Sequence, residues 1–162
     1  MKRSIRFLVT IIILSGLFSC DDNDSTPSPV IVTFNATLNG TSEVPPNAST
    51  ATGAAVLKFN KTTKIFTLTV TYSGLTPTAG HIHRGAVGAA PANNIIFPLT
   101  SLVSPITYTS PVLNTTQEAD LIANLYYVNL HTTAFPTGEI RGQLITTNPA
   151  GTGGGGGGGG GY

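Results

Sequence analysis

The chain is short of several things that common activities depend on. Among its 162 residues are eight Lys or Arg, seven Asp or Glu, three His, one Met, one Cys and no Trp. A single cysteine excludes an intrachain disulfide and any thiolate cage for a metal. A net charge of +1, with no cluster of basic residues in the body of the chain, leaves nothing to hold a phosphate backbone, which excludes nucleic acid as a partner. Carboxylates are too sparse to form the facing pair of a glycoside hydrolase, because Glu118 and Asp120 fall together on one short segment. No serine stands in a nucleophile-elbow pattern, and the glycine-rich "GAVGAAPANN" (85–94) lacks the lysine and following helix of a phosphate loop. These absences support no enzyme class, and the chain reads as a binding or structural protein.

A long hydrophobic run is also missing. The apolar stretch Phe7–Phe18 is about 12 residues, short of the roughly 20 that span a bilayer. Lys2, Arg3 and Arg6 precede it and "LFSC" ends it, which is the layout of an export leader. The segment resembles a bacterial lipoprotein signal over residues 1–19. That resemblance implies cleavage before Cys20 and lipid on its thiol and new amino group, with display on the bacterial outer membrane or cell surface. Residues 20–29, "CDDNDSTPSP", are acidic, polar and proline-bearing, a composition suited to a solvated tether. Loss of the leader leaves five basic residues against seven acidic ones. At the other end, residues 148–162 include nine consecutive glycines and a final Tyr162. Such a tail has no side chains to pack and behaves as a flexible linker, or as a strand through which copies associate into a fibre or matrix.

Between these ends, residues 30–147 form one domain of β texture. "VIVTFNATL" (30–38) is rich in β-branched residues, and "GAAVLKF" (53–59) with "IFTLTVTY" (65–72) flanks the polar turn "NKTTK" as a hairpin. In the second arm Thr67, Thr69 and Thr71 alternate with Phe66, Leu68 and Val70, a water-facing row against a core-facing row. Further strands are expected at 79–85, 94–99, 106–113, 125–132 and 139–146, with a single helix at 115–125 capped by Thr116. Turn signals every 8 to 12 residues point to an all-β fold, an antiparallel Greek-key-like β-sandwich of about seven to nine strands with one short helix.

The three histidines acquire meaning from the same alternation. In "AGHIHRG" (79–85), Ile82 is the natural core residue, so His81 and His83 share the opposite face, about 7 Å apart along the strand. In "YYVNLHT" (126–132), Tyr126, Val128 and Leu130 face inward and leave Tyr127, Asn129 and His131 outside. In "EIRGQLI" (139–145), Glu139, Arg141 and Gln143 are the outward set. If these strands are neighbours, all three imidazoles meet on one solvent-facing patch. Neutral imidazoles suit copper(II) and zinc, and with no thiolate at hand copper is favoured. The ligands expected are His81, His83 and His131, supported by a polar cluster of Glu43, Arg84, Asn129, Glu139 and Arg141; the alternative is a hydrogen-bonded polar network without a metal, in which Arg84 or Arg141 pairs with Glu43 or Glu139 and the imidazoles cap strand-edge carbonyls. Glu43 lies in "SEVPP" (42–46), a stretch stiffened by its two prolines.

Four segments, "FNATLNGTSEVPP" (34–46), "GAAVLKFN" (53–60), "YSGLTPTAGHIHRGAVG" (72–88) and "YYVNLHTTAFPTGEIRGQL" (126–144), resemble the CHRD domain, a module of secreted proteins that takes its name from chordin. The resemblance implies a sandwich-like extracellular β domain. The H-x-H strand with a later V-x-x-H strand is in addition similar to the copper half of copper/zinc superoxide dismutases, although this chain has no fourth histidine to bridge a second metal. Together these readings describe an exported, lipid-anchored binding or structural module of the cell surface or extracellular matrix. It associates with the membrane through Cys20, is able to self-assemble through its tail, and carries a metal-binding histidine cluster. The alternative is a copper-dependent redox or copper-storage protein using the same histidines.

Overall fold

The computed structural model describes residues 28–90 and 95–153. The leader, Cys20 and most of the tether lie outside the described residues, as does the glycine run from residue 154 onward. The chain is all-β with one short helix. Its strands are β1 (Val30–Asn39), β2 (Thr52–Asn60), β3 (Ile65–Ser73), β4 (Ala79–Arg84), β5 (Ile95–Pro98), β6 (Ile106–Thr109), β7 (Tyr126–His131), β8 (Ile140–Gln143) and β9 (Thr152–Gly153); the helix α1 is Thr115–Ile122. Eight strands hydrogen-bond in the order β5-β4-β7-β8-β1-β2-β3-β6, every pair antiparallel, and the two residues of β9 pair with the start of β1.

The two layers expected of a sandwich are halves of this one curled sheet. The sheet bends until its two end strands meet across the core, where Phe97 of β5 lies 6.1 Å from Tyr108 of β6 and 5.3 Å, edge-on, from Phe66 of β3. Strict alternation builds the inner face: Val32, Phe34 and Leu38 of β1, Leu57 and Phe59 of β2, and Phe66, Leu68 and Val70 of β3 are all buried. Burial of each such side chain contributes roughly 1.5–3 kcal/mol. Their neighbours Thr33, Asn35, Thr37, Thr67, Thr69 and Thr71 are exposed, as the sequence pattern requires.

Two local details differ from expectation. The helix is capped by Asn114 rather than Thr116: Asn114 accepts from Gln117 N while the Gln117 side chain accepts from Asn114 N, a reciprocal capping box. The helix ends at Ile122 with Ala123 as its C-cap, and the positive-φ residue Asn124 (φ 59) turns the chain, so Leu125 belongs to the connection into β7. The strand β9 falls within the segment read as a free tail, and its pairing of Ile31 with Thr152 and Val30 with Gly153 brings both ends of the domain to one place.

Candidate metal centre

Strands β4, β7 and β8 are adjacent, and their registers align the polar residues in rows. His81 stands opposite Asn129, which stands opposite Arg141; His83 stands opposite Tyr127, which stands opposite Gln143; His131 stands opposite Ala79. Alternation along each strand therefore delivers His81, His83 and His131 to one face of the sheet while Ile82, Val128, Leu130 and Ile140 fill the core on the other.

That face does not open to water as the pattern suggested. His83 is 6 % exposed, Tyr127 1 % and Arg141 2 %, and Asn129 and Glu139 are buried as well. Two loops roof it. The loop after β1 begins with a 3-10 turn at Gly40–Ser42, capped by Asn39, and drops Glu43 onto the face. Asn47 pins this loop by donating from Nδ2 to the carbonyls of Gly138 (3.2 Å) and Glu139 (3.0 Å). The loop after β4 is held by Arg141, whose Nη1 and Nη2 donate to the carbonyls of Ala89 (2.9 Å) and Ala86 (3.4 Å). The Arg141 guanidinium carbon lies 3.6 Å from the centre of the Tyr127 ring, and the His83 ring stacks on Tyr127 at 5.1 Å with 12° between planes. A buried guanidinium, a phenol and an imidazole thus pack in series, and His83 takes its orientation from that packing.

The three imidazoles are brought together. One ring nitrogen from each of His81, His83 and His131 lies within 4.8 Å of the others. His81 Nδ1 and His131 Nε2 are 3.1 Å apart, and His131 Nδ1 is 3.1 Å from the carbonyl oxygen of Pro136. A carbonyl only accepts, so His131 Nδ1 carries its hydrogen and Nε2 presents a lone pair toward His81. Two nitrogens on one zinc or copper ion at about 2.0–2.1 Å stand roughly 2.9–3.4 Å apart. The His81–His131 spacing already fits, and a gap at the 4.8 Å limit would have to close by about 1.4 Å. Burial lowers the pKa of His81, with a further contribution from His131, and burial lowers that of His131 against the opposing Pro136 hydrogen bond. Both rings are held neutral, the form a metal binds. Because the folded pKa values are depressed, stability contributed by these rings falls as pH drops below the ordinary histidine value near 6.5. The group can hold a metal ion.

The expected supporting cluster divides. Glu139 and Asn129 border the histidines: Glu139 Oε1 accepts from Ser49 (2.7 Å) and Oε2 from Thr132 (2.5 Å), so this carboxylate is consumed in tying the loop after β1 to the hairpin that carries His131. Arg84 is not part of the site. It emerges on the other side of β4, as its alternation with Ile82 dictates, and forms a bidentate pair with Asp120 of α1 at 2.6 and 3.0 Å. Glu43 makes no ion pair with an arginine among the described residues; it accepts from Asn129 Nδ2 at 3.5 Å. Gly138 (φ +136) leaves room for this contact, since a Cβ there would stand 2.6 Å from Glu43 Oε1 and from Asn129 Nδ2. The sequence reading left out Tyr127, Gln143 and the Pro136 carbonyl as site components. An aromatic at an outward strand position was the only signal for Tyr127.

Desolvation raises the Glu43 pKa to about 7, outweighing the opposing pull of Arg141 and of the Asn129 hydrogen bond. The folded state therefore holds this proton more tightly than the unfolded chain. The stabilisation is complete below pH 4.5 and is lost as pH rises through 7. Glu43→Gln removes the ionisation, so at pH 8 the variant is expected to exceed the parent by about 2 kcal/mol, with the difference shrinking toward pH 5. Urea midpoints at the two pH values measure this, and a difference independent of pH would contradict it.

Residues 34–144 match the CHRD domain family. The chain belongs to the CHRD family. The match begins inside β1 and ends just past β8, so all three histidines and both roofing loops of this CHRD domain fall within it. No curated protein and no solved structure matches the chain.

Proposed function

We propose that this CHRD protein is an exported, lipid-anchored surface module whose three-histidine group binds copper as a structural ion. The observation that carries the reading is the convergence of three ring nitrogens within 4.8 Å, one of them fixed in tautomer by the Pro136 carbonyl. His81 and His83 belong to β4 and His131 to β7, so an ion held by all three ties two strands and the following hairpin together. Copper is chosen over zinc because it heads the divalent affinity order for nitrogen ligands and the group offers no thiolate. Anchoring rests on the leader and Cys20. The antiparallel pairing of β9 with β1 sets Gly153 beside Val30, which supports a reading in which tether and glycine tail meet the domain at the same end. Association with a membrane through Cys20 and with other copies through the tail belong to this reading.

His81 and His131 are both half-buried rather than sealed, and that favours a second reading in which the ion is exchanged or cycled, as in copper storage or redox chemistry. A calorimetric titration of protein without an affinity tag separates the outcomes. One copper ion per chain, with a rise in thermal stability that grows with free copper, supports the structural site. Ascorbate-driven cycling of that ion between oxidation states supports the second reading. No heat and no stabilisation with either copper or zinc would remove both.

A further inference from the structure

The hairpin that carries His131 is closed by one buried carboxylate. His131 ends β7, and its Nδ1 donates to the carbonyl of Pro136 in the connection to β8. Inside that connection Thr132 and Phe135 exchange backbone hydrogen bonds, both 3.2 Å, and Gly138 N donates to the Phe135 carbonyl at 3.1 Å. Glu139, itself buried, fastens the two ends. Its N–H donates to the Leu130 carbonyl at 2.8 Å, and its Oε2 accepts from Thr132 Oγ1 at 2.5 Å. The same Thr132 hydroxyl accepts from Phe135 N at 3.2 Å, so the carboxylate grips the turn immediately before Pro136. Its Oε1 accepts from Ser49 Oγ at 2.7 Å, and that hydroxyl accepts from Ala51 N at 3.2 Å. Asn47 of the same loop holds the Glu139 backbone carbonyl. Glu139 is thus the junction where the loop after β1 meets the turn that orients a histidine.

What this junction controls is the proton on His131. The two nitrogens of a neutral imidazole are distinguished by the hydrogen bond that one of them makes. With the Pro136 carbonyl in place the proton stays on Nδ1, and Nε2 keeps its lone pair for an ion. A turn that drifts away frees the proton to move to Nε2, which then cannot act as a ligand. We propose that Glu139 is a positioning residue for the metal centre: it holds the Pro136 carbonyl on His131 Nδ1, and through Ser49 it couples the tautomer of that histidine to the loop after β1. Its effect on affinity rests on the copper reading, but the tautomer belongs to the metal-free chain. Such coupling is reciprocal, so an ion on the histidines also steadies the segment that carries Asn47 and Ser49.

Long-range ¹H–¹⁵N NMR of the metal-free protein at about pH 8, where imidazoles are neutral, reads the tautomer directly. The parent is expected to show His131 in the Nδ1–H form alone. Glu139→Ala is expected to give a mixture of both forms with the rest of the spectrum still dispersed, and Ser49→Ala a smaller shift in the same direction. Glu139→Gln should restore the parent pattern, because an amide still meets both hydroxyls, which accept as well as donate. In competition with a copper chelator, affinity should fall about tenfold in Glu139→Ala and stay within about twofold of the parent in Glu139→Gln. A His131 tautomer unchanged in Glu139→Ala would overturn the proposal. Equal loss of affinity in the glutamine and alanine variants would overturn it too, by assigning the effect to charge. If the alanine variant does not fold, Thr132→Val and Ser49→Ala, each removing one donor to the carboxylate, decide by the same criterion. A parent that binds no copper would remove the copper reading and leave the tautomer comparison to decide this one.

Discussion

His131→Ala is expected to lower the proposed copper affinity roughly hundredfold or more while leaving the fold intact. Loss of groups that merely orient a metal ligand typically costs 10- to 100-fold, and removal of a direct ligand reaches at least the upper end of that range. His131 is the ring whose lone pair is already aimed at the site, because the Pro136 carbonyl occupies its other nitrogen. It is half-buried and outside the hydrophobic core, so its truncation removes little packing. His83→Ala should differ in kind. Its ring is buried and stacked on Tyr127, so that variant loses both affinity and stability. Competition titration against a copper chelator, with circular dichroism melts of the same samples, distinguishes the two. Equal affinity in the parent and His131→Ala would contradict the assignment of the ligands.

The second large effect lies one layer beneath the ligands. Tyr127→Ala is expected to cost about 3–5 kcal/mol, the usual range for emptying an aromatic site in a well-packed interior. The ring also supports His83 on one contact and the Arg141 guanidinium on another, interactions worth roughly 0.5–1.5 kcal/mol each beyond buried area. For a domain of this size the melting temperature falls on the order of 10 °C or more. Tyr127→Phe is expected to be neutral to within about 0.5 kcal/mol, or slightly stabilising, because the phenol hydroxyl is buried and makes no hydrogen bond among the described residues. Copper affinity should follow the ring and not the hydroxyl, falling in the alanine variant and holding in the phenylalanine one. If the phenylalanine variant were as damaged as the alanine variant, the hydroxyl would have to be engaged, and the packing account of His83 would fail.

The contrast between the two halves of the sheet shows what period-two alternation does and does not encode. In β3, Phe66, Leu68 and Val70 point in, Thr67, Thr69 and Thr71 point out, and the outward row is solvated. In β7 the same alternation assigns Tyr127, Asn129 and His131 correctly to the outer face, and this is why the histidine group was legible from the sequence. Burial of that face was not legible. It depends on two loops folding back from β1 and β4, held by Asn47, Arg141 and backbone carbonyls whose positions no local pattern fixes. Arg84 was misassigned for a related reason. Its own alternation with Ile82 points it away from the histidines, and its partner Asp120 is far off in sequence on α1. Charge pairing across long separations follows from the completed topology, whereas facing within one strand follows from the pleat.

Anomalous scattering at the copper edge, from crystals loaded with one equivalent of copper(II), tests the central claim most directly. A single peak about 2.0–2.2 Å from one ring nitrogen of each of His81, His83 and His131 is the predicted result. A peak elsewhere on the molecule, or no peak while the three rings keep their present arrangement, would contradict it.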